Sequence, residues 1–104
     1  MSENPSELTF EQIEIGHTKE FQIKVTESLV NDFAKLSGDF NPIHINEDFA
    51  KSKKFKGKIV HGMLLASFLS RMVGMYLPGK HALYLSQSLE FHNPCFINDE
   101  ITVS

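Results

Sequence analysis

Asp39 and His44 stand five positions apart in the segment Asp39-Phe40-Asn41-Pro42-Ile43-His44. Residues at that spacing do not share one helical face. Pro42 between them stops a helix from continuing and pushes Asn41 toward an extended conformation. The segment is therefore irregular, and a tight turn can aim both side chains at one point. A carboxylate accepts protons or orients water, and an imidazole titrates near neutral pH and can both accept and donate. The pair suits activation of a water molecule. The same residues also admit a purely structural reading, with Asp39 capping a turn, Asn41-Pro42 initiating one and His44 a satisfied core residue.

A second candidate is His61-Gly62, at the head of an apolar run. The first N–H groups of a helix lack internal partners, and the helix dipole favours negative charge there. A glycine at that position lets a ligand oxygen approach the backbone, as an oxyanion hole requires. The bland alternative is that Gly62 permits tight packing and His61 caps a loop. Ser70 sits mid-helix among apolar neighbours, either bonding back to a carbonyl one turn earlier or standing at the wall of a ligand pocket. Nothing around it resembles a nucleophile elbow. Lys51, Lys53, Lys54, Lys56 and Lys58 form either a solvated loop or an attraction for a phosphorylated ligand. His17, His81 and His92 lack zinc spacing, so no metal is expected. No glycine-rich phosphate loop is present.

The elements that must position these groups are legible in outline. Residues 1–18 look like a loose lead-in anchored by Phe10, Ile13 and Ile15, with a turn at Gly16. Phe21, Ile23 and Val25 alternate with Gln22, Lys24 and Thr26, which predicts a half-buried strand. Thr26 suits an N-cap, Leu29, Val30, Phe33, Ala34 and Leu36 give one apolar face, and Gly38 suits the exit. Asn46 looks like the N-cap of a short helix, with Glu47 and Asp48 in its first turn. From Gly62 to about Leu77 a helix is apolar nearly all round, with small residues at Gly62, Ala66, Ser70 and Gly74, and Pro78-Gly79 ends it. Leu83, Leu85, Leu89 and Phe91 then alternate with polar residues, which predicts a long strand. Asn98-Asp99 signals a turn before a last strand at Ile101 and Val103.

The 104 residues allow one domain, spanning 1–104. A hydrophobic content of 41% and a charged content of 22% exclude disordered, collagen-like and coiled-coil chains. The net charge of −3 argues against general nucleic-acid binding. The acidic start Met1–Glu7 is unlike a signal peptide, and the longest apolar stretch is too short and too interrupted for a membrane span. A single cysteine, Cys95, cannot form an internal disulfide. A cytoplasmic protein is expected.

Three blocks in order resemble the MaoC-like, or type 2, enoyl-CoA hydratases: residues 36–44 with Asp39-Phe40-Asn41-Pro42-Ile43-His44, residues 59–67 with His61-Gly62, and residues 84–91. The resemblance covers roughly residues 10–104, and is nearest to the short (R)-specific hydratases that link fatty-acid β-oxidation to polyhydroxyalkanoate precursors. It implies an α+β hot-dog fold, a central helix wrapped by an antiparallel sheet and usually paired as a homodimer. It places the catalytic water on Asp39 and His44, site support on Asn41, and the thioester oxygen at the Gly62 N–H. Ser70 and Val73 fall where the acyl pocket is shaped. The implied substrate is an acyl-CoA thioester, a trans-2-enoyl-CoA, with no cofactor beyond the coenzyme A of the substrate itself.

Two other readings share these residues. One is a non-catalytic or partner-dependent hot-dog subunit that binds acyl thioesters. The other is a 3-hydroxyacyl dehydratase of fatty-acid synthesis acting on acyl-carrier-protein substrates. Against the family the chain looks short by roughly 30 residues, about two strands at usual strand and loop lengths. The expectation is a wrap around the central helix that lacks its last strands.

Overall fold

The computed structural model describes residues 4–104. Met1, Ser2 and Glu3 of the expected lead-in lie outside the described residues. Strand β1 (Phe21–Lys24) turns Phe21 into the core and Gln22 and Lys24 to solvent, as the alternation requires. It pairs antiparallel with β2 (Glu100–Val103) in the register Phe21↔Val103 to Lys24↔Glu100. Two backbone bonds close the ladder beyond its end, Val25 N–H to Asp99 C=O at 2.8 Å and Asn98 N–H to Val25 C=O at 2.7 Å.

Helix α1 (Glu27–Ser37) starts where Thr26 Oγ1 accepts the Leu29 N–H and ends at Gly38, whose φ of 81° lies in the left-handed region. Val30 and Ala34 are buried, with Leu29 and Phe33 packed alongside. Leu36, expected on the same face, is exposed, because the last turn runs past the core. Helix α2 is a single turn (Pro42–Ile45), followed directly by α3 (Glu47–Ser52). Pro42 therefore begins a helix rather than only ending one, since at the first helical position its missing N–H costs nothing. Asn46 caps α3 as expected, its side chain accepting the Phe49 N–H at 2.9 Å.

Helix α4 (Gly62–Arg71) continues as a wider turn through Met72–Tyr76. Leu64, Phe68 and Met72 recur every four residues and are buried with Phe21, Val25, Val30, Val60, Cys95 and Val103, while Met63, Ser67 and Ser70 face outward. The core therefore lies between α1, one face of α4 and the β1–β2 pair. Ile59 and Val60, just before α4, are tied to the segment after Pro94 by a bridge to Phe96 and a Val60 N–H to Cys95 C=O bond of 2.8 Å.

Two expectations change. Phe10, Ile13 and Ile15 do not anchor the lead-in, because all three are exposed. Backbone bonds hold it instead: Ser6 N–H to Met75 C=O at 2.9 Å and Lys80 N–H to Ser6 C=O at 2.7 Å, with a Glu7–Lys80 ion pair. The strand expected over residues 83–91 is not paired into a sheet, and Leu83, Leu85 and Phe91 are exposed. Alternation records which face a strand would bury, but a strand also needs a neighbour to receive its hydrogen bonds, and none lies beside it among the described residues.

Candidate active site

The loop after α1 is fixed by a relay of side-chain bonds to nearby backbone. Ser37 Oγ donates to Phe33 C=O at 2.7 Å and accepts the Asp39 N–H at 3.1 Å. Asp39 Oδ1 accepts the Asn41 N–H at 3.1 Å, and Asn41 Oδ1 accepts the Ile43 N–H at 3.0 Å, capping α2. Short polar side chains compete well for neighbouring N–H groups, so this sequence prefers a defined turn over a longer helix. Asn41 thus sets the start of the turn that carries His44.

His44 is held from its other side. Its Nδ1 lies 2.7 Å from the Ile59 carbonyl. A carbonyl only accepts, so Nδ1 carries the proton and Nε2 of the neutral ring keeps a lone pair. That Nε2 lies 3.9 Å from Asp39 Oδ2. The gap is too long for a direct hydrogen bond, but it has the width that a water about 2.8 Å from each atom would span at an angle of roughly 90°. The Asp39 side chain is 49% exposed and that of His44 14%, so solvent reaches the gap while the imidazole stays seated.

His61, singled out in the sequence with Gly62 and given no role of its own beyond the alternative of a loop cap, is the buried support of this pair. It is 2% exposed. Its Nε2 is 3.0 Å from the Asp39 carbonyl, its ring stacks on His44 with centroids 3.9 Å apart, and its face meets the Phe33 ring edge-on at 4.9 Å. By the same tautomer argument Nε2 donates, which leaves Nδ1 as a buried acceptor without a hydrogen-bond partner among the described residues. Asp39, His44 and His61 each offer a ligating atom within 4.8 Å of the others. The available signal was the histidine before an apolar helix. What it packs on lies 17 and 22 positions earlier and is set by the fold.

Gly62 is the first residue of α4, so its N–H is free of intrahelical bonding. It shares a cavity of about 490 Å³ with His44, Phe55, Ile59, Leu65 and Phe91. The Phe91 ring fills the place of the missing side chain, 3.1 Å from where a Cβ would lie. Ser70 is placed elsewhere, in a second cavity of about 390 Å³ on the outward side of α4 with Phe33, Met63, Ala66 and Tyr84. Val73 lines neither cavity; its carbonyl accepts the Gly79 N–H at 3.0 Å. The structure therefore gathers Asp39, Asn41, His44 and Gly62 around the head of α4 and sets Ser70 and Val73 apart from them.

Of the expected lysine loop, Lys51 belongs to α3, Lys58 pairs with Glu27, and Lys56 lies over the Phe96 ring at 4.5 Å. The Lys58 ammonium, bonded to the Glu27 carboxylate, holds that carboxyl below its usual range. Burial, with the Asp99 charge, pushes the Cys95 thiol up. No helix among the described residues is long and apolar enough to cross a membrane.

Residues 10–104 match the MaoC like domain family. The chain is 43% identical over 95 residues to the (R)-specific enoyl-CoA hydratase of Aeromonas caviae, covering 91% of this chain and 71% of the relative. It is 44% identical over 95 residues to the (R)-specific enoyl-CoA hydratase of Rhodospirillum rubrum, covering 91% of this chain and 66% of that relative. Among solved structures, the Aeromonas caviae (R)-hydratase involved in polyhydroxyalkanoate biosynthesis superposes with a TM-score of 0.85 at 44% identity, over 88% of this chain and 70% of that one.

Proposed function

The chain belongs to the MaoC-like domain family, and on that premise we propose that it hydrates trans-2-enoyl-CoA to (R)-3-hydroxyacyl-CoA, reversibly. Its fold is the α+β hot-dog fold of its structural neighbours. The observation that carries the reading is the facing of His44 Nε2, its tautomer set by the Ile59 carbonyl, and Asp39 Oδ2 across 3.9 Å, beside the head of α4.

The β-carbon of an enoyl thioester is a poor electrophile until its carbonyl is polarised. The Gly62 N–H and the α4 dipole would take the developing negative charge on the thioester oxygen, a contribution of about 3–4 kcal/mol per donor. A water held by Asp39 Oδ2 and His44 Nε2 would attack the β-carbon as His44 takes its proton. The α–β double bond becomes the enolate, and His44 returns the proton to the α-carbon. Hydroxyl and hydrogen have then added, and the imidazole is neutral again. Asp39 would stabilise the transient imidazolium, and Asn41 and His61 would hold the two groups in register.

The cavity at His44 and Gly62 supports an acyl-thioester substrate, and the reading needs no cofactor. A homodimer is part of the same reading, supported by the exposed apolar Leu83, Leu85 and Phe91. The test is addition of purified protein to crotonyl-CoA, following the loss of absorbance of the conjugated thioester and resolving the product enantiomers. Conversion to the (R)-3-hydroxyacyl product is expected. Binding of the thioester without conversion would favour a non-catalytic subunit.

A further inference from the structure

We propose that Phe91 is the residue that confines the site to enoyl thioesters unbranched at the α-carbon. The inference rests on the hydration reading for its substrate and on the geometry at the head of α4 for its residue. Three carbons at the tip of the Phe91 ring lie 3.1, 3.1 and 3.3 Å from the place a Cβ on Gly62 would take. Carbons in ordinary contact stand about 3.5–4.0 Å apart, so there is no room for a methyl between the ring and the glycine. The same ring lines the cavity of about 490 Å³ shared by His44, Gly62, Phe55 and Leu65. Just beyond Phe91 the chain is fastened, where the Val60 N–H donates to the Cys95 carbonyl at 2.8 Å. The tip of the ring is thereby kept at Gly62, while Phe91 as a whole is 58% exposed.

The bonds of the substrate decide what meets this ring. A thioester oxygen accepting the Gly62 N–H stands about 2.9 Å from its nitrogen. The carbonyl carbon and the α-carbon follow at one and two bonds from that oxygen. A substituent on the α-carbon therefore stays at the head of α4, whichever way the conjugated plane turns. The remainder of a linear acyl chain leaves from the β-carbon, which would lie at the water between Asp39 and His44. Chain length is thus set away from Phe91, whereas an α-methyl crowds it. An excess methylene in an apolar pocket costs about 10–200-fold in kcat/KM, which is the discrimination this wall can supply. Phe91 also stands outside the buried core, so shortening its side chain opens the wall without unfolding the chain.

The experiment compares hydration of crotonyl-CoA and of 2-methylcrotonyl-CoA by wild type, Phe91→Leu, Phe91→Ala and Phe55→Ala. The intrinsic effect of the methyl on reactivity is common to all four proteins, so the change in the ratio of the two kcat/KM values reads the wall alone. The wild type should favour crotonyl-CoA, and Phe91→Ala should shrink that preference roughly tenfold or more, with Phe91→Leu between them. Phe55 lines the same cavity but supplies none of the three atoms nearest the Gly62 Cβ position, so Phe55→Ala should leave the ratio unchanged. An unchanged ratio in Phe91→Ala, or an equal change in Phe55→Ala, overturns the assignment. Where no enoyl-CoA is turned over, calorimetry with butyryl-CoA and 2-methylbutyryl-CoA, which cannot be hydrated, reads the same wall through binding. A preference for butyryl-CoA that Phe91→Ala removes then upholds the wall while the hydration reading falls. Binding of neither thioester, equal affinities in the wild type, or a preference that survives Phe91→Ala overturns it.

Discussion

Replacing His61 by phenylalanine separates positioning from packing. The substituted ring still stacks on His44 and meets Phe33, but the hydrogen bond to the Asp39 carbonyl is lost. That bond contributes about 0.5–1.5 kcal/mol, whereas removing the unpaired buried Nδ1 returns about 1–3 kcal/mol. Swaps that keep shape cost under about 1.5 kcal/mol. The three effects leave stability within about 2 kcal/mol of the wild type in either direction. Activity responds differently. The remaining hydrogen bonds of Asp39, to Ser37 and Asn41, are local to its own turn, so nothing distant then holds its carboxylate opposite His44. A displacement near 1 Å can cost about 100-fold in rate. The expected result, from thermal melts and steady-state hydration of crotonyl-CoA, is a kcat at least roughly tenfold lower with KM little changed and the fold intact. A melting temperature lowered by far more than 10 °C with normal kcat would refute the reasoning and make His61 a plain core residue.

Gly62→Ala sets a methyl 3.1 Å from the Phe91 ring at the mouth of the thioester site, so hydration should fall about tenfold or more while stability holds, read by the same two assays. Gly79→Ala should lower stability by about 1–3 kcal/mol, because φ is +93° and the new Cβ would meet the Ser6 carbonyl at 2.0 Å; a lower melting temperature with earlier cleavage of the lead-in checks it. The Glu27 carboxyl is lowered from its ordinary 4.5 by Lys58, so its contribution is fully present above that value and is lost as pH falls through the lowered one. Glu27→Gln should therefore flatten the acid limb of a stability–pH curve and leave neutral-pH stability almost unchanged, since the Glu27 carboxylate is solvent-exposed.

What was legible in the sequence was local. Thr26 and Gly38 delimit α1, Asn46 opens α3, and Phe21, Ile23 and Val25 mark β1, because caps and periodicity act within a few residues. The turn holding Asp39 and Asn41 was legible for the same reason. His61 was not, since its contacts with Asp39 and His44 arise only when the head of α4 docks against α2. The alternation at Leu83–Phe91 pointed to a buried face that the structure leaves exposed, because burial and pairing depend on a neighbouring strand, which no local pattern supplies. Phe10, Ile13 and Ile15 misled because apolar type alone does not bury a residue, and the segment is held through its backbone.

The most direct measurement is crotonyl-CoA hydration by wild type, Asp39→Asn and His44→Ala under identical conditions. The facing of Asp39 and His44 predicts turnover in the wild type and a loss of about 10²–10⁴-fold in each variant, with melting temperatures close to wild type. Normal turnover by either folded variant would contradict it.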